Sequence, residues 1–118
     1  MKSKTIFFMA AVSLLVTMSV GSAWSQAVTD DNLAQSIADA KTPAQHEAIA
    51  AYYDQEAAAS KEKADLHRRA AASYRKMNID KPAGMASMCD STAMMWDKVS
   101  ADAKKLAGDH HEMAKDAK

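Results

Sequence analysis

The chain contains little of the material from which nucleotide sites, disulfide frameworks and cysteine cages are built. Its 118 residues include three glycines, two prolines and one cysteine. Three scattered glycines exclude a phosphate-binding loop and a dinucleotide fingerprint. One cysteine excludes an intrachain disulfide and a metal cage made of cysteine alone. The charges balance at 15 basic against 15 acidic residues, and the length is too short for a two-domain enzyme.

The N-terminal segment has the parts of a secretory signal. Lys2 and Lys4 precede an apolar run over residues 5–20, and a small-x-Ala tripeptide ends at Ala27, with a second cleavage option ending at Ala23. The run is shorter than the roughly 20 residues of a membrane-spanning helix, which makes an uncleaved anchor the less favoured alternative. We predict a signal peptide over residues 1–27 and a soluble product in the bacterial periplasm.

The predicted mature domain, residues 28–118, has few large apolar side chains. Of its 91 residues, 22 are alanine and only 18 are large and apolar, and its net charge is −2. A compact globule of this size would have a thin core.

Start and stop signals predict three helices in an all-α fold. A Thr-Asp-Asp cap signal opens the first at Thr29. Thr42, Pro43 and Gln45 combine a capping box with proline at the first helical position of the second. Residues 78–84 contain proline and glycine and break that helix. The predicted helices cover about 30–41, 43–77 and 85–117.

The two long helices repeat each other at an offset of 43 residues. This repeat predicts a duplicated hairpin. The matched residues are His46 and Cys89, Tyr53 and Trp96, Asp54 and Asp97, Lys61 and Lys104, Ala64 and Ala107, and His67 and His110.

Small residues recur at heptad spacing on both helices, beginning at Ala50 on the first and Ala86 on the second. Folding the chain back at about residue 80 places Ala64 opposite Trp96, and more generally places bulky residues opposite small ones. We therefore predict an antiparallel, coiled-coil-like hairpin with an alanine seam. The same register sets Ala50 opposite His110 and His46 opposite Ala114.

Several apolar residues lie outside this seam, and the hairpin alone leaves them unburied. The short first helix can cover some of them, and pairing of two hairpins into a four-helix bundle can cover more, so we expect a homodimer. These residues are Ile49, Tyr52, Leu66, Met88, Met95, Val99, Leu106 and Met113.

Imidazole and sulfur groups are the candidates for metal binding, and the antiparallel fold sorts them to two ends. Thiolate and thioether with imidazole suit copper(I), whereas several imidazoles suit copper(II) or zinc. The alternative is that the histidines are packed seam residues and the methionines fill the core. The group near the turn is His67, Met85, Met88 and Cys89, and the group at the open end is His46, His110, His111 and Met113.

Cys89 has several interpretations. Burial as an inert thiol is favoured, and a disulfide between two chains or metal ligation are the alternatives. A catalytic thiol would need an activating base, and His67 is the nearby candidate, with no acid to orient it. No other acid–base or nucleophile constellation occurs, so we expect no enzyme.

The hairpin has a basic tip and an acidic open end. Residues 61–81 carry a net charge of +4 and residues 28–60 a net charge of −5. The tip is a candidate contact for an anionic membrane or another polyanion, and a solvated helix face is the alternative. Nucleic acid is not expected in the predicted compartment. The candidate polyanion-binding residues are Arg68, Arg69, Arg75 and Lys76.

The order His46, Tyr52-Tyr53, His67, Met85, Cys89 and His110 resembles a loose set of small exported, alanine-rich proteobacterial proteins. The resemblance covers about residues 42–117 and implies export and a helical hairpin, without an activity. Members of that set often have histidine where this chain has Met88.

Three functions follow as hypotheses. They are a non-enzymatic envelope interaction module, a periplasmic copper-binding protein, and a protein that associates with anionic membranes or polyanions.

Overall fold

The structure is a computed structural model that describes residues 26–77 and 84–118. Three helices follow in the order α1 (Leu33–Asp39), α2 (Pro43–Lys76) and α3 (Met85–Asp116), and α2 packs along α3 as a helical hairpin. The all-α hairpin is therefore confirmed. The predicted signal peptide before residue 26 and residues 78–83 of the predicted break lie outside the described residues. Within the described ranges, no helix has the length and apolar character needed to cross a membrane.

The start of α2 follows from its local sequence. Thr42 Oγ1 accepts a hydrogen bond from the Gln45 backbone N–H at 3.2 Å, and Gln45 Oε1 accepts one from the Thr42 N–H at 3.0 Å. These reciprocal bonds satisfy donors that a helix start otherwise leaves free. The predicted capping box is thus present, with Pro43 at the first helical position. The long helices differ from their predicted bounds by no more than one residue.

The first helix is shorter than predicted. Asn32, and not Thr29, is its N-cap residue. The Asn32 side chain accepts a hydrogen bond from the Thr29 N–H at 2.8 Å and donates one to the Ala27 carbonyl at 3.1 Å. Because these bonds hold the preceding residues in a turn, the helix starts at Leu33 instead of about residue 30.

The N-terminal segment lies against the beginning of α2. The Tyr52 hydroxyl donates a hydrogen bond to Asp30 Oδ1 at 2.8 Å, and this bond is the main cause that raises the pKa of Tyr52 to about 12. Ile49, three residues earlier, is fully buried, although the hairpin alone was expected to leave it unburied. The Tyr52–Asp30 bond places the N-terminal segment beside this part of α2, where the sequence suggested that the short first helix can cover apolar surface.

The core of the hairpin consists mainly of alanine. Side chains this small let two helices approach closely, so burial is reached with few large residues. A buried bond also links the helices, because Ser100 Oγ donates to the Ala57 carbonyl at 2.7 Å. The buried seam residues are Ala50, Ala57, Ser60, Ala64 and Ala71 on α2 and Ala93, Ser100, Ala103, Ala107, His110 and Ala114 on α3.

Candidate functional site

One long side of the hairpin is closed by polar bridges between the helices. Asp97 accepts hydrogen bonds from Arg68 and, at 3.4 Å, from Lys61, and Arg75 pairs with Asp90. The hydrogen bond from Arg68 is the main reason that the pKa of Asp97 is lowered. We call this side the ion-pair edge. It consists of Glu47, Asp54, Lys61, Arg68 and Arg75 on α2 and Asp90, Asp97 and His111 on α3.

The internal repeat is visible in these bridges. Arg68 stands in the first repeat where His111 stands in the second, at the same offset of 43 residues. Correspondingly, Arg68 binds Asp97, and His111 Nε2 lies 3.2 Å from Asp54 Oδ2. These cross-helix carboxylates are not among the candidate functional residues predicted from the sequence. The charged residues recurring every seven positions beside the alanine seam were the signal that could have found them.

The opposite side of the hairpin leaves large apolar side chains in solvent. Met88 and Met95 are about 70% exposed, and Val99, Leu106 and Met113 are 42–48% exposed. On a heptad pattern Val99, Leu106 and Met113 lie beside the seam on the side away from the ion pairs. Met88 and Met95 lie farther out on that same side of α3, as does Leu66 on α2. We call this surface the methionine edge, which consists of Leu66, Met88, Met95, Val99, Leu106 and Met113.

Two histidines meet at the open end of the hairpin. His46 Nδ1 lies 3.1 Å from His110 Nδ1, with ring centroids 5.4 Å apart. The predicted register set the two residues one layer apart, opposite Ala114 and Ala50. The rings bridge that layer because both opposing residues are small and buried. His110 is only 8% exposed, and its ring stacks with Tyr53 at a centroid distance of 6.1 Å.

His110 and His111 are adjacent in the chain but have opposite electrostatic environments. Burial, followed by the neighbouring His46, lowers the pKa of His110. Hydrogen bonds to Asp54 and Glu47 raise the pKa of His111, whose Nδ1 is 2.8 Å from Glu47 Oε2. The environment of the open end therefore favours the neutral form of the seam imidazole of His110 and the charged form of the His111 imidazole on the ion-pair edge.

The members of the group predicted near the turn differ in exposure. His67 and Cys89 are half-buried seam residues, and Cys89 is a free thiol. Met85 is half-buried, whereas Met88 is 70% exposed on the methionine edge. In the described parts of the chain, no group of three or more His, Cys, Asp or Glu side chains is arranged to hold a metal ion.

The candidate cations of the basic tip are not equivalent. Arg68 binds Asp65 and Asp97, and Arg75 binds Asp90, so carboxylates already compensate these two guanidinium groups. Arg69 and Lys76 are exposed on α2. A polyanion at the tip would therefore have to compete with acidic residues of α3 for half of the predicted contacts.

In comparisons with known proteins, no family model, curated protein or solved structure matches the chain.

Proposed function

We propose that the chain is an exported, non-enzymatic interaction module of the cell envelope that pairs with a second copy of itself through the methionine edge. The observation that carries this proposal is the gathering of six exposed apolar side chains on one side of the hairpin. Large contiguous apolar patches on soluble proteins mark interaction sites more often than scattered apolar residues do.

Charge complementarity supports a second copy as the occupant. Among the described residues, the half of the hairpin nearest the tip (61–77 and 84–98) carries seven basic and four acidic side chains. The open half (26–60 and 99–118) carries five basic and ten acidic ones. In an antiparallel pair, the positive half of one hairpin lies beside the negative half of the other. A two-fold arrangement of this kind is the commonest form of homo-oligomer.

Export is supported by the charged start, the apolar run and the small-residue cleavage site of the first 27 residues. A chain expressed in a Gram-negative host and recovered from its periplasmic fraction is expected to begin at Val28. That material is the sample for the association measurement.

Two adjacent methionines provide a matched test. Met94 and Met95 are each 69% exposed, but Met95 lies on the methionine edge and Met94 on the outer face toward the ion-pair edge. We expect sedimentation equilibrium to show a dimer at micromolar concentration. Met95→Glu should weaken dimerisation by about tenfold or more, because a charge would be buried at the contact. Met94→Glu should leave the dissociation constant unchanged.

Two outcomes contradict this proposal. One is a monomer up to several hundred micromolar, and the other is an equal effect of the two glutamate substitutions. Circular dichroism of both variants serves as the control for folding.

A further inference from the structure

We propose that His46 and His110 bind a divalent transition-metal ion, copper(II) most tightly, across the open end of the hairpin. The two side chains come from different helices, and their Nδ1 atoms already converge at 3.1 Å. This metal site lies within one chain and is independent of pairing through the methionine edge.

The separation of the two nitrogen atoms suits two ligands of one ion. Metal–nitrogen distances at imidazole sites are about 2.0–2.1 Å. Two Nδ1 atoms 3.1 Å apart then subtend an angle of about 100° at the ion, between square-planar and tetrahedral values. Nitrogen and oxygen ligands in tetragonal geometry favour copper(II), which also leads the affinity order of divalent first-row ions.

The surroundings confine the His110 ring and leave the His46 ring open to solvent. His110 is only 8% exposed in the seam. Stacking with Tyr53 restricts the His110 ring. His46 is half-exposed, so water can enter and complete the coordination. Tyr53, Asp109, His111, Glu47 and Asp54 are titratable groups beside this layer, and His111 is already engaged by Glu47 and Asp54.

Metal binding replaces a hydrogen bond between the rings. In the metal-free pair, one Nδ1 carries a hydrogen and the other accepts it. When the ion binds both Nδ1 atoms, the donor ring carries its hydrogen on Nε2 instead. No net proton is released when both rings start neutral.

The internal repeat supplies the control. His46 and His110 correspond to Cys89 and His67 at the 43-residue offset, so the equivalent layer near the tip has one imidazole and one thiol. Copper(II) oxidises thiols, and the measurement is therefore made in a Cys89→Ala chain. In that chain, His67 is a half-buried seam histidine whose repeat-related partner is alanine.

The test is a titration of the Cys89→Ala chain with copper(II) against a competing chelator, followed by electron paramagnetic resonance. We expect one ion per chain and nitrogen hyperfine structure from two imidazoles. His46→Ala and His110→Ala should each weaken copper(II) binding by at least about tenfold, because each removes one of the two ligands. Removing a group that only hydrogen-bonds to a ligand already costs about that much in metal affinity. His67→Ala should bind as tightly as its parent.

His110→Ala changes a buried seam position and could unfold the open end, so His46→Gln is the second variant. It retains a polar side chain at a half-exposed position, and its helicity is checked by circular dichroism. Unchanged copper affinity in folded His46→Gln overturns the proposal. One ion per two chains, or equal losses in His67→Ala and His46→Ala, overturns it as well.

Discussion

The two long edges of the hairpin flank the same alanine seam but differ in chemistry. On the ion-pair edge, α2 and α3 exchange charges, as between Arg68 and Asp97 and between Arg75 and Asp90. On the methionine edge, residues such as Met95 and Leu106 extend into solvent. The ion-pair edge links the two helices, whereas the methionine edge leaves apolar side chains exposed to solvent.

This difference shows that the chain fills its interior with small residues and leaves several of its few large apolar residues on the surface. Alanines suffice for the interior because they permit close helix approach, and ion pairs then hold one side of the hairpin. The larger apolar residues of α3 remain available on the other side. We expect that edge to contribute to association more than to folding of the single hairpin.

The largest expected effect comes from enlarging the seam that both edges share. Ala64 is fully buried, and Ala64→Leu should force the helices apart and lower stability by about 1–3 kcal/mol. Ala58→Leu, on the exposed face of α2, is the matched control and should have little effect. Urea unfolding followed by circular dichroism measures both, and equal stability of the two variants would contradict close packing at Ala64.

A smaller effect should arise at the ion-pair edge. Asp97→Asn removes the charge that Arg68 and Lys61 share. We expect a lower melting temperature than in the parent, by less than for Ala64→Leu, because exposed ion pairs contribute little individually. The difference should shrink at high salt, which screens these charges.

Asp102→Asn is the control for this substitution, since Asp102 pairs with Lys98 within α3 and does not bridge the helices. A salt-independent loss in Asp97→Asn, or an equal loss in Asp102→Asn, would show that cross-helix charge is not the cause.

The smallest effect is a pH dependence confined to the open end. A raised folded-state pKa means that His111 stabilises the fold below its ordinary pKa, and that this contribution disappears as pH rises through the folded-state value. A lowered pKa means that His110 favours the fold above its ordinary value, and that this contribution disappears as pH falls through its folded-state value. Stability should therefore be greatest between the two shifted values.

Thermal melting across pH in the presence of a chelator tests this expectation. His111→Gln should remove the alkaline decline, whereas Leu106→Ala on the methionine edge should retain it. An unchanged alkaline decline in His111→Gln would assign it to another group.

Particular residues show how far sequence reasoning reached. The Thr42–Gln45 capping box was predicted and is present, and the small seam residues were placed at buried positions. The methionine edge was anticipated from residues left over by the heptad pattern. Ile49 was expected to stay unburied by the hairpin alone and is fully buried, in the part of α2 against which the N-terminal segment lies through the Tyr52–Asp30 hydrogen bond. The charged bridges were missed because exposed carboxylates have many available partners along one helix.

Sequence alone determined where the long helices begin and end, because caps, breakers and helix propensity act within a few residues. It also determined that the interior would be small and alanine-rich, since heptad spacing puts those residues on one face. Only the tertiary structure decided that His46 would reach His110 and that Asp97 would join Arg68 to Lys61. These contacts depend on the rotation and axial offset of two packed helices, which residues distant in sequence set together.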